Sequence, residues 1–129
     1  VSAHDLHPPC RDVLEVLVSQ TLGVDSAAVV TGDGFEVAAV LRDGIAVEKL
    51  AAMVSSLLAL SEAVAQELQM SGCRNVIVET DGGAVVTLRI PVPGRELLMS
   101  VLCSDAASLG SVLYAARDTA HALGRRLAT

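Results

Sequence analysis

Three glycine turns constrain this chain more than any other feature. Gly32-Asp33-Gly34, Asp43-Gly44 and Asp81-Gly82-Gly83 each interrupt apolar sequence. On either side of the first lie Ala27 to Thr31 and Glu36 to Leu41, both short and rich in Val and Ala. Asp-Gly supplies the positive φ that tight hairpin turns demand, and a turn this short joins only antiparallel strands. A dinucleotide loop would need a further glycine where Val37 stands, followed by a helix. A Gly-Lys-Ser/Thr phosphate loop occurs nowhere in the sequence. Gly32, Asp33 and Gly34 therefore read as a hairpin turn.

The same argument orders the second half. Arg74 to Thr80, Ala84 to Ile90 and Glu96 to Cys103 read as strands. Asp81-Gly82-Gly83 and Pro91-Val92-Pro93-Gly94 join them, so they form an antiparallel meander.

Helical spacing fills the remainder. Val13, Leu14, Leu17 and Val18 give an amphipathic segment from Pro9 to about Leu22. Pro8 and Pro9 suit a helix start, and Gly23 suits a stop. Residues 1–8 are expected to be a flexible leader, and residues 9–129 a single domain. In the last segment Asp105 or Ser108 caps a helix whose apolar face carries Leu109, Val112, Leu113, Ala116, Ala120, Leu123 and Leu127.

The longest periodic segment runs from about Ala46 to Met70. Leu50, Val54, Leu57, Leu58, Ser61, Val64, Ala65 and Leu68 form the expected core stripe, widened by Met53 and Leu60. The opposite face carries Ala52, Ser55, Ser56, Ala59, Glu62, Ala63 and Gln66. An ordinary solvent face holds more Lys, Arg and Glu. Small residues permit close approach by another backbone, so this face is the expected partner surface. The plainer alternative is an exposed, alanine-rich helix. The predicted order is α-β-β-α-β-β-β-α, an α+β fold with a mostly antiparallel five-stranded sheet.

Composition narrows the function. The 129 residues suit one domain. They are 52% hydrophobic but only 2% aromatic, so the core is aliphatic. A net charge of −6 and scarce aromatic rings argue against nucleic acid and anionic membranes as partners. No apolar run approaches the roughly 18–20 residues of a membrane span, so membrane insertion is not expected. Cys10, Cys73 and Cys103 form no CxxC pair, and a reducing cytoplasm is the expected setting.

No reaction centre emerges. His4, His7 and Cys10 have donors of the right kind for zinc, but they are three only and Pro8-Pro9 interrupts their spacing. His121 stands alone on the last helix, and there is no G-x-S-x-G. Asp33, Asp43 and Asp81 are explained by turn hydrogen bonding. We expect no catalytic residue, no metal and no cofactor.

The junction residues carry a resemblance. Leu22-Gly-Val-Asp-Ser-Ala-Ala-Val-Val30 leads into Asp33-Gly34, and Leu50-Ala-Ala-Met53 lies near the start of the long helix. Asn75-Val-Ile-Val-Glu79 leads into Gly82-Gly83. Leu97-Leu-Met-Ser-Val101 follows, and Ser108-Leu-Gly-Ser-Val-Leu113 opens the last helix. From about Val13 to Leu127 the chain resembles the Roadblock/LC7 family, and its Ala/Arg-rich, Lys-poor composition is similar to that of bacterial members. The resemblance implies an antiparallel five-stranded sheet with the long helix on one face and the terminal helices on the other. It implies a homodimer formed through the long helix and the following strand, with the sheet continuous across both copies. Arg74, Val76, Ile77 and Val78 would then lie on the pairing edge. It also implies a non-enzymatic role: binding a small Ras-like GTPase, with stimulated GTP hydrolysis in the gliding-motility member, or serving as a structural adaptor without a GTPase. For stimulated hydrolysis, Arg42 and Arg74 are the candidates for an inserted arginine. A small-ligand sensor or enzyme using Cys73 or His121 is the third reading.

Overall fold

The computed structural model describes residues 3–128, with side chains from Asp5 onward. The element order is α1 (Ala3–Gln20), β1 (Val24–Thr31), β2 (Glu36–Val40), α2 (Val47–Glu67), β3 (Asn75–Thr80), β4 (Gly83–Ile90), β5 (Leu97–Ser104) and α3 (Leu109–Leu127). The strands form one antiparallel sheet in the order β2-β1-β5-β4-β3. The α+β order read from the sequence is the observed one.

Both faces of the sheet are covered. On one, α1 contributes Leu6, Cys10, Leu14 and Leu17, and α3 contributes Val112, Ala116, Ala120 and Leu123. They pack on Ala27, Val29, Val86, Leu88, Met99 and Val101. On the other, α2 sets Ala51, Val54 and Leu58 against Ala28, Val30, Ala39 and Leu98. Successive strand residues point to opposite faces, so a strand covered twice must be apolar at nearly every position. That explains the unbroken burial of Ser26 to Val30 along β1. Fully burying one leucine contributes about 1.5–3 kcal/mol. Thr87 and Ser100, buried under α2, satisfy each other through their hydroxyls at 3.3 Å. Gly124 lets α3 approach the end of β4, because a Cβ there would lie 2.5 Å from the Pro91 carbonyl oxygen.

The first helix departs from expectation. It begins at Ala3, not Pro9, and runs through both prolines. Proline's fixed φ is already helical, and its main faults are a missing donor and a clash one turn back. Here both faults fall near the helix start. Leu6 is buried four residues before Cys10, extending the inward stripe through Leu14 and Leu17. Part of the span assigned to a leader is therefore helix; Val1, Ser2 and the His4 side chain lie outside the described residues.

The two sheet edges differ. On β2, the Arg11 guanidinium of α1 donates to the Ala39 carbonyl. On β3, Val78, Glu79 and Thr80 are exposed.

Candidate functional site

The candidate site is the outward side of α2 together with the β3 edge. Ala51, Val54 and Leu58 anchor the inner side of α2 in the core. The outer side is not polar. Met53, Leu60 and Val64 are 62%, 64% and 52% exposed, and Leu57 is half-buried among them. These four positions alternate in steps of four, three and four residues, which keeps them on one stripe of a helix. Alongside runs a row of exposed small residues, Ala52, Ser56, Ala59 and Ala63. Ala52, Met53, Ser56, Leu57 and Leu60 line a shallow depression of about 360 Å³.

The structure divides this helix differently from its periodicity. Spacing alone puts Met53, Leu60, Val64 and Leu68 with the core, whereas all four are exposed. The helix carries two apolar stripes, and the sheet takes only one. Of the seven residues assigned to the partner face, Ala52, Ser56, Ala59, Ala63 and Gln66 are exposed or half-exposed on the outer side. Ser55 and Glu62 are half-buried and face their own chain. Ser55 lies under the β1–β2 turn, where a Cβ on Gly34 would stand 3.0 Å from its Oγ. Glu62 Oε1 accepts the Cys73 amide at 2.5 Å and faces Arg89 at 3.5 Å.

The turn at Gly32-Asp33-Gly34 is closed by its own hydrogen bonds. Thr31 Oγ1 donates to Asp33 Oδ1 at 2.6 Å and accepts the Phe35 amide at 3.0 Å. The Gly34 amide donates to the Thr31 carbonyl at 3.0 Å. Gly34 has φ of +95° and lies against α2, so it needs glycine for conformation and for space. The Gly32 amide donates to the Glu96 carbonyl at 3.0 Å. With two of its amides spent in this way, the turn is no phosphate cradle.

At the β3 edge, Val76 and Ile77 are half-buried, Val78 is 39% exposed, and Arg74 just precedes the strand. Val76 packs on the cluster beneath α2, and Ile77 on the opposite core. The pattern puts Val76, Val78 and Thr80 on the α2 side of the sheet.

An exposed aliphatic stripe on one helix, an unguarded strand at one edge and three helices around an antiparallel sheet are the features the sequence resemblance implies. A sequence model of the Roadblock/LC7 domain matches residues 12–91, more than half of the chain. The protein belongs to the Roadblock/LC7 family.

Solved structures agree on the fold. A Roadblock/LC7 domain from Streptomyces avermitilis superposes with a TM-score of 0.82 at 20% identity, covering 92% of this chain and 98% of that one. The gliding protein MglB from Thermus thermophilus superposes at 0.79 with 19% identity, covering 93% and 89%. A structure described as MglB with a tetrameric arrangement gives 0.79 at 21% identity, covering 93% and 88%. No curated protein matches the sequence.

The remaining candidates in this Roadblock/LC7 chain fall outside the α2 face. Arg42 is ion-paired to Asp25 at 2.8 Å. Arg74 is exposed and has no ion pair or hydrogen bond among the described residues. Cys73 and His121 line one cavity, but their hydrogen bonds go elsewhere: Cys73 Sγ to the Asn75 carbonyl at 3.5 Å, and His121 Nδ1 to the Arg117 carbonyl at 2.9 Å. Cys10 is fully buried, and burial pushes its thiol up to about 11, only partly opposed by the Arg126 cation. His7 is exposed on the same helix. Among the described residues no three His, Cys, Asp or Glu side chains group as a metal site, and no helix is long and apolar enough to cross a membrane.

Proposed function

We propose that the protein is a homodimeric regulatory adaptor that binds a small Ras-like GTPase and acts on its GTP hydrolysis. One observation carries this reading: the exposed stripe Met53, Leu57, Leu60 and Val64 lies on a helix whose opposite side is already sealed into the core. Exposed apolar rows of this length mark interaction surfaces. The row of small residues beside it allows close helix approach. The open β3 edge supports the same arrangement, because an unpaired strand is a template for another. A two-fold axis perpendicular to the sheet near Val78 would pair β3 with its copy and keep both α2 helices on one face. The two helices would then contact each other along part of their outer surface and leave the remainder to the GTPase. Membership of a family whose bacterial members work beside small GTPases gives the partner class. Hydrolysis would be altered by repositioning the GTPase's own residues, since Arg42 is engaged by Asp25 and Arg74 is the less hindered candidate for insertion.

The test is retention of a small GTPase on the purified protein in the presence of GDP or of a non-hydrolysable GTP analogue. The expected result is retention in one nucleotide state. Ala59→Arg with Ala63→Arg should abolish either the dimer mass or GTPase retention. If neither moves, the α2 surface is not the interface. Self-association with no GTPase in either state would favour the scaffold reading.

A further inference from the structure

Where β3 begins, the segment from Ser71 to Arg74 rounds the end of α2, and β4 and α3 close in beside it. Together they enclose a cavity of about 660 Å³. Arg74, Arg89 and Arg117 line it, with His121 beside them. These are three of the eight arginines in the sequence. Each comes from a different element: the loop before β3, β4 and α3. Glu62 is the only carboxylate in the lining among the described residues. In a chain of net charge −6, this local excess of positive charge runs against the whole.

The three guanidinium groups retain donors for a ligand. Arg74 has no partner among the described residues. Arg89 lies 3.5 Å from Glu62 and 3.6 Å from Glu96. Both contacts are looser than the roughly 2.7–2.9 Å of a full charge-assisted hydrogen bond. Arg117 spends one nitrogen on Asn75 Oδ1 at 2.9 Å, which fixes its position at the mouth and leaves its other donors. His121 gives its Nδ1 proton to the Arg117 carbonyl, so Nε2 is the ring atom left for a ligand. No aromatic ring lines the cavity among the described residues, so a nucleotide base finds nothing on which to stack.

We propose that this cavity binds a phosphomonoester dianion. A carboxylate has one charge and two oxygens, which satisfy a single guanidinium fork. A phosphomonoester has up to two charges and three terminal oxygens, matching three guanidinium groups set around a common space. The cavity is larger than the phosphate alone and accepts the organic group that carries it. It is built within one copy of the chain, so the assignment does not depend on dimerisation or on a GTPase.

The experiment is a titration of the nitrogen-labelled protein followed by NMR, at constant ionic strength. The probes are inorganic phosphate, glucose 6-phosphate, a capped phosphoserine amide and acetate. Saturable shifts should appear at Ser71 to Arg74 and at the Arg89 and Arg117 side chains. The phosphomonoesters should bind at least tenfold tighter than acetate. Arg74→Gln with Arg117→Gln should weaken binding at least tenfold without changing the thermal melting curve, because both side chains are exposed. Tighter binding of phosphoserine than of glucose 6-phosphate would assign the phosphate to a modified protein, and the reverse order to a small metabolite; either order supports the site. Shifts that do not saturate, equal binding of acetate, or unchanged binding by the double variant would overturn the proposal.

Discussion

The Glu62 carboxylate accepts the backbone amide of Cys73 at 2.5 Å, tying α2 to the segment that opens β3. The same oxygen faces Arg89 on β4 at 3.5 Å. One half-buried side chain thus joins a helix, a loop and the neighbouring strand. The position of the β3 edge relative to α2 depends on it.

Glu62→Ala leaves the Cys73 amide without its acceptor and Arg89 without its α2 partner. Stranding a partly buried donor costs about 1–3 kcal/mol. The expected result is a lower urea midpoint and faster amide hydrogen exchange at Cys73 and Asn75. Exchange unchanged at both amides would show that the bond does not hold the segment.

Leu60→Asp and Val78→Lys address the α2 stripe and the strand edge separately. Both side chains are exposed in a single copy, so each change should alter the stability of that copy by no more than about 0.5 kcal/mol. Each should lower the mass measured by light scattering to that of a monomer. A dimer mass retained by both variants would remove α2 and β3 from the interface.

Gly34→Ala combines two penalties. At φ of +95° an alanine is strained, and its Cβ would lie 3.0 Å from Ser55 Oγ. A loss of about 1–2 kcal/mol is expected. Ser55→Ala in the same chain should recover the contact part only. A double-mutant cycle on unfolding free energy separates the two terms; full recovery would mean that the backbone conformation costs nothing.

Cys10 predicts a loss of stability in alkali. Its thiol ionises near 9.0 when solvated and at about 11 when buried in the fold. The folded state therefore holds the proton that the unfolded chain releases. The stability is complete below about pH 9 and declines as pH rises from 9 towards 11. The shift corresponds to about 2–3 kcal/mol. Cys10→Ala should flatten that decline when urea midpoints are compared at about pH 8 and about pH 10.5, on either side of the solvated thiol's ionisation.

Much of the fold was legible because its signals are local. The Gly32 to Gly34 turn, the Gly82-Gly83 turn and the strands around them follow from backbone chemistry within a few residues. The start of α1 was not, because Pro8 and Pro9 are read locally as a boundary while Leu6 is held by distant strands. The α2 surface escaped for a related reason. Leu58 and Leu60 are the same residue in the same helix, and only the sheet decides that one is buried and the other is not. A clue did exist in Met53, Leu57, Leu60 and Val64, whose spacing of about 3.5 residues describes a second stripe beside the first. The basic cavity was invisible in sequence, since Arg74, Arg89 and Arg117 are separated by whole elements and meet only through sheet order.

The guarded edge at β2 sets a limit on growth. Arg11 occupies the Ala39 carbonyl there, leaving β3 as the more accessible border of the sheet. A sheet with a single open border can be extended once. When two copies join border to border, each consumes the other's template, and no free template remains for a third. The chain is thereby directed toward a finite, closed particle and away from an endless fibre.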